Sequence, residues 1–181
     1  AILSPLLFCI YLNDLPCMPQ VCGLESYVDD SKVFLSFSLP DVDTVTANLE
    51  QDLLCIAAWC CENQLLMNPD KTKFMLIATR QLRKRFSSSP VVSFLDKSLE
   101  PVASAKDLDV TLDSHLTYDC HISNVVSSCM AKLCQINRVK NSFDGKTLEQ
   151  LISSLALKML YFSTVWSNTS TTNIKKLQLV Q

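Results

Sequence analysis

Leu24-Glu25-Ser26-Tyr27-Val28-Asp29-Asp30, followed after Ser31 by Lys32-Val33-Phe34-Leu35-Ser36-Phe37, is the stretch that decides how this chain is read. Two apolar runs of strand length flank a pair of adjacent carboxylates. The pattern predicts strand, tight turn, strand, with both acids at the turn. Aspartate seldom sits beside a buried strand without a partner or a metal. The pair Asp29-Asp30 is therefore the first place to look for chemistry. Glu25 lies four residues before Asp29, on the same face by strand alternation, and reads as a solvated edge.

Working outward, residues 4–15 read as a helix with Leu3, Leu6, Leu7, Ile10 and Tyr11 on one face. Pro16 and Pro19 end it. Pro40-Asp41 opens a long helix whose stripe is Val42, Val45, Leu49, Leu53, Ile56 and Cys60, with Asp41 as its N-cap. Trp59 reads as packing. Residues 65–67 and 74–77 read as short strands around the turn Asn68-Pro69-Asp70-Lys71. Strand patterns resume at 91–95, 99–102 and 108–112. Two helical stripes follow: Tyr118, Ile122, Val125, Cys129, Leu133 and Ile136, then Leu148, Leu151, Leu155, Met159 and Phe162. The expectation is an α+β chain with a mixed half over 1–112 and a helical half over 113–181.

Composition narrows the classes. Of 181 residues, 48% are hydrophobic and 19% charged, which suits a packed core and argues against disorder. Two glycines exclude long phosphate-binding glycine loops and dinucleotide fingerprints. The net charge of -2 carries no global sign of nucleic-acid binding, yet Lys71, Lys73, Arg80, Arg83, Lys84 and Arg85 follow one another with no intervening acid. Nine cysteines are scattered without zinc-site spacing, and His115 and His121 do not complete one. The odd cysteine count and the lack of a signal peptide favour an intracellular, nuclear or cytoplasmic setting over secretion. The sequence starts without Met inside an amphipathic pattern, as expected of a piece of a longer reading frame.

Segments in a fixed order carry a family resemblance. Leu3-Ser4-Pro5-Leu6-Leu7-Phe8 and Tyr11-Leu12-Asn13-Asp14-Leu15-Pro16 precede Tyr27-Val28-Asp29-Asp30. Then come Trp59, Asn68-Pro69-Asp70-Lys71-Thr72-Lys73, Lys106-Asp107-Leu108-Asp109-Val110-Thr111-Leu112-Asp113 and Val165-Trp166-Ser167-Asn168-Thr169-Ser170. In that order the chain resembles, over nearly its whole length, the reverse transcriptase domain of non-LTR (LINE-like) retrotransposons.

The resemblance implies an RNA-directed DNA polymerase fragment with a palm-like antiparallel sheet over 1–112 and a thumb-like region over 113–181. Asp29 would bind catalytic Mg²⁺ (or Mn²⁺), with Asp30 supporting the metal site. Lys71 and Lys73 are candidates to assist the leaving pyrophosphate. Tyr27, Arg80, Arg83, Lys84, Arg85 and Lys106 are candidates to contact nucleic acid, Lys106 in the primer-grip strand pair. The implied partners are RNA template, DNA primer and deoxynucleoside triphosphates, without a membrane, with fingers and endonuclease regions upstream in the same polyprotein.

Three departures stand out. The family usually carries Gly at the positions of Ser4 and Asp109, and its first metal-binding Asp lies upstream of Ala1. Glycine serves where φ is positive or a backbone comes close. An acid at 109 would also repel primer phosphates. The alternative expectation is an inactive retrotransposon remnant, acting at most as a binding module for nucleic acid or protein. Two Mg²⁺ ions need carboxylates from both catalytic segments, so the fragment alone is expected not to polymerise.

Overall fold

The computed structural model of the chain describes residues 3–86, 89–159, 163–167 and 169–180. In chain order the elements are α1 (Leu3–Tyr11), β1 (Gly23–Tyr27), β2 (Asp30–Phe34), α2 (Val42–Glu62), α3 (Arg80–Arg83), β3 (Val92–Phe94), β4 (Lys97–Leu99), β5 (Ser104–Asp107), β6 (Val110–Asp113), α4 (Asp119–Val139), α5 (Gly145–Met159), α6 (Ser163–Trp166) and α7 (Thr171–Gln178). The fold is mixed helix and strand, as the α+β reading expected. The strands form three separate antiparallel hairpins, β1–β2, β3–β4 and β5–β6, with no continuous sheet among the described residues. Two compact units divide between Val102 and Ala103. The β5–β6 hairpin, expected with the first half, therefore groups with the helices.

In the first unit α2 is the organiser. Its stripe faces inward: Leu53, Ile56 and Cys60 are buried, and Val42, Val45 and Leu49 are half-buried. Ile56 and Cys60 pack with Leu12 and Leu15, and Trp59, Leu24 and Val33 close around them. Leu53 packs one turn earlier with Val92, Phe94 and Leu99, joined by Val33, Met67 and Phe74. Burying a side chain the size of Ile56 or Phe94 contributes about 1.5–3 kcal/mol each. Asp41 holds the N-cap position of α2 without a side-chain capping bond.

Two local expectations are corrected. The α1 stripe Leu3, Leu6, Leu7, Ile10 and Tyr11 faces outward, each residue exposed. The inward line is instead Phe8, Leu12 and Leu15, spaced four and three, which meets α2. Residues 65–67 and 74–77 form no ladder. Leu65, Met67 and Phe74 pack instead against the clusters around α2, and among the described residues the pairing here is one parallel bridge between Phe74 and Pro101.

In the second unit α4 carries the predicted stripe inward, with Ile122 and Cys129 buried. Leu148 and Leu151 of α5 are half-buried. The side chains of Leu155 and Met159, and Phe162 altogether, lie outside the described residues. Buried Asn173 and His121 and half-buried Asp113 each have hydrogen-bond partners here. Asn173 donates to Asp119 Oδ1 at 2.7 Å and Thr169 Oγ1 at 2.8 Å. His121 Nδ1 accepts the Thr111 N–H at 3.3 Å, and its ring lies 5.9 Å from that of Trp166. Asp113 accepts N–H groups from His115, Thr117 and Tyr118, and the Thr117 hydroxyl.

Candidate active site

Five cross-strand pairs define the β1–β2 hairpin: Gly23 with Phe34, Leu24 with Val33, Glu25 with Lys32, Ser26 with Ser31 and Tyr27 with Asp30. Partners across an antiparallel ladder share a face. Leu24 and Val33 thus point with Ser26 and Ser31 toward α2, where the two apolar residues join the core. The opposite face carries Glu25, Tyr27, Asp30, Lys32 and Phe34, all exposed.

The pairing leaves a two-residue loop, Val28-Asp29. Val28 has φ 56°, a left-handed conformation that a β-branched residue adopts only under strain. That reversal puts Asp29 at the tip. Asp30 becomes the first residue of β2. Strand alternation in the sequence places Glu25 on the face of Asp29. The turn intervenes, and Asp30 is the acid that shares Glu25's face. Both carboxylates are exposed, and among the described residues no hydrogen bond or ion pair engages either one. Two hard oxygen donors are left available to a cation.

The hairpin is anchored at its base by a residue that the sequence pattern does not single out. Asp52 of α2 is 1% exposed. Its carboxylate accepts the backbone N–H groups of Gln20 (2.8 Å), Val21 (3.0 Å) and Cys22 (2.7 Å), the three residues before β1. Burial pushes its pKa up, but the three N–H donors and the Cys22 thiol outweigh that and hold it below the ordinary aspartate range. Burial, with Asp52 alongside, pushes the Cys22 thiol up to about 12. The available signal was an acid one position before Leu53, inside the apolar stripe of a long helix.

The loop 68–73 is built by Asn68. Its side-chain oxygen accepts the N–H groups of Asp70 at 2.9 Å and Lys71 at 3.3 Å. Asp70 pairs with Lys97 at 3.0 Å. Lys71 and Lys73 are exposed. What ties this loop to the hairpin is apolar: Met67 and Phe74, on either side of it, pack in the same cluster as Val33 of β2.

Arg80, Lys84 and Arg85 are exposed and Arg83 is half-buried, on and just after α3. Thr79 caps that turn, its hydroxyl accepting the Leu82 N–H. Phe86 meets Phe37 edge-on, with centroids 6.3 Å apart, so the basic segment docks beside the chain leaving β2. Lys106, in the second unit, is exposed and pairs with Asp109 at 2.6 Å across the β5–β6 turn. Leu108 and Asp109 form that turn with φ of 44° and 67°. Asp109 thus occupies backbone that favours glycine. Ser4 lies in α1, where φ is not positive.

Among the described residues no cluster of three or more His, Cys, Asp or Glu side chains is placed to hold a metal ion. Among them, too, no helix is long and apolar enough to cross a membrane.

Comparison with known proteins gives two similarities along the whole chain. The chain is 27% identical over 195 residues to the probable RNA-directed DNA polymerase from transposon BS of Drosophila melanogaster, covering 100% of this chain and 21% of that protein. It is 23% identical over 193 residues to the RNA-directed DNA polymerase from mobile element jockey of the same organism, covering 100% of this chain and 20% of that one. The chain spans about a fifth of the length of these relatives. No protein-family profile and no solved structure matches it. The similarity to these two RNA-directed DNA polymerases thus runs along the whole chain.

Proposed function

We propose that this chain is a segment of a retrotransposon RNA-directed DNA polymerase of the non-LTR kind, holding the second catalytic carboxylate strand and the regions that follow it. The observation that carries the reading is the exposed pair Asp29-Asp30 at a hairpin tip, within a chain similar throughout to two such polymerases. The first unit supplies part of a palm, and the helices after residue 113 supply a thumb-like region. RNA template, DNA primer and deoxynucleoside triphosphates are the substrates of the whole protein. Its setting is nuclear or cytoplasmic, with fingers and endonuclease regions upstream.

The donor chemistry fits a divalent metal. Mg²⁺ takes hard oxygens and is usually held by one or two carboxylates plus substrate phosphate. Asp29, with Asp30 beside it, is the ligand this chain offers, and Mn²⁺ suits the same oxygens. Such a metal, when bound, stabilises the attacking and leaving oxygens of nucleotidyl transfer. Tyr27, opposite Asp30 and 65% exposed, offers a ring to a base or sugar. Lys71 or Lys73 supplies positive charge to the departing pyrophosphate. Arg80, Arg83, Lys84 and Arg85 hold backbone phosphates, and Lys106 holds the primer.

A second reading, an inactive remnant, is favoured by Asp109. An acid there sits in glycine-favouring backbone and covers Lys106.

The test is metal-dependent primer extension on an RNA template by the full-length protein. Activity abolished by Asp29→Asn is the expected result. Extension unchanged by that substitution, or absent from a folded parent, overturns the reading.

A further inference from the structure

Asp52 stands apart from the surface groups that make up the hairpin site. It is a charged side chain inside the core of the first unit. A buried carboxylate costs several kcal/mol unless its oxygens are fully bonded. Here both are used: Oδ1 by Gln20, Oδ2 by Val21 and Cys22. Three consecutive backbone N–H groups converge on one side chain, thirty-odd residues away in sequence. The next residue, Gly23, begins β1. Beyond the clamp, Leu24 and Val33 seat the hairpin in the core.

We propose that Asp52 is a positioning residue for nucleotidyl transfer: by clamping residues 20–22 to α2 it fixes the base of the hairpin, and so where Asp29 stands. This rests on the polymerase reading of Asp29. The leverage is geometric. From Cys22 to the tip the strand spans about 20 Å at roughly 3.4 Å per residue, so a tilt of about 3° at the base moves Asp29 by about 1 Å. A displacement of that size costs a catalytic group about 10²-fold in rate. Only a carboxylate satisfies the clamp. In Asp52→Asn the amide NH₂ replaces one acceptor and faces an N–H group, which leaves a buried donor without a partner.

Two measurements test this. In the wild-type 181-residue chain, native-state amide exchange is expected to give residues 20–22 and the β1–β2 amides one shared opening free energy, since one clamp holds both. In Asp52→Asn, exchange at 20–22 and throughout the hairpin rises together, about 10-fold or more, the factor that follows from losing roughly 1.4 kcal/mol, while α4 is unchanged. Hairpin amides that open independently of 20–22 in the wild type overturn the proposal, whether or not the variant folds. In the full-length protein, Asp52→Asn is expected to lower kcat about 10²-fold with KM for nucleotide and primer-template affinity nearly unchanged. Asp52→Glu, which keeps the acceptors, restores part of the rate. Equal losses in kcat and affinity, or none, overturn it. A wild-type protein without extension activity refutes the polymerase reading, and the exchange result still judges the clamp.

Discussion

The ring of Phe34 lies over Gly23, its partner across the β1–β2 ladder. A Cβ at residue 23 would stand 2.5 Å from Phe34 Cζ and 2.6 Å from Cε2. Glycine leaves the space that the ring fills, and the ring covers the backbone that glycine exposes.

That contact sets the first expectation. Gly23→Ala pushes aside the far end of the Phe34 ring, which is 49% exposed, and costs about 0.5–1.5 kcal/mol, the range for a side chain driven off its rotamer. In a Phe34→Ala background the same change is nearly neutral or favourable. A double-mutant cycle by urea denaturation is expected to give a coupling of about 0.5 kcal/mol or more. Additive losses would show that the two residues do not touch.

The β5–β6 turn gives the second. Leu108 and Asp109 both have positive φ, which suits Asn-Gly and strains other residues by about 1–2 kcal/mol each. The Lys106–Asp109 pair is exposed and contributes at most about 1 kcal/mol. Strain relief is the larger effect. Leu108→Asn with Asp109→Gly is expected to raise the Tm of the second unit by about 4–8 °C. If the ion pair dominates, the Tm falls instead.

Acid sensitivity of the second unit follows from His121 and Asp113. Burial holds the His121 imidazole below its ordinary value. The unfolded chain therefore takes up a proton first as pH falls below about 6.5, and stability drops from there toward the folded pKa. Burial pushes Asp113 up, but N–H donors from Thr117, Tyr118 and His115 outweigh it and its pKa is lowered. Its contribution is complete above about pH 3.9 and is lost as pH falls through the folded value. Two steps are expected. With Trp59→Phe, Trp166 is the sole tryptophan and reports this unit. His121→Gln is expected to remove the upper step only, and an unchanged upper step would falsify its assignment.

The basic segment is tested by salt. Each phosphate neutralised by a cation contributes about 0.9 to the slope of log affinity against log salt on duplex. Arg80→Gln, Lys84→Gln and Arg85→Gln together are expected to lower that slope by about 2–3 for the full-length protein on primer-template. No change in slope would assign these residues to a solvated surface. Phe86→Ala, which removes the contact with Phe37, is expected to weaken binding with a smaller change in slope.

The sequence alone was enough to read the elements that depend on local periodicity and turn chemistry. The stripe from Val42 to Cys60 points inward as its spacing requires. The tight turn lies at Tyr27-Val28-Asp29-Asp30 because two strand patterns leave no room for a longer loop. The order of the motifs was sufficient to indicate the similarity to retrotransposon RNA-directed DNA polymerases that runs along the whole chain.

Tertiary structure decided what depends on partners distant in sequence. The one-residue question of which acid shares Glu25's face turned on the register, Tyr27 with Asp30, and register belongs to two strands together. The outward face of α1 and the unpaired 65–67 segment were settled by which surfaces had a neighbour. Asp52 was invisible as a clamp because its three donors lie thirty-odd residues upstream. A carboxylate's role is set by what desolvates it and what bonds it, and both arrive only when the chain folds.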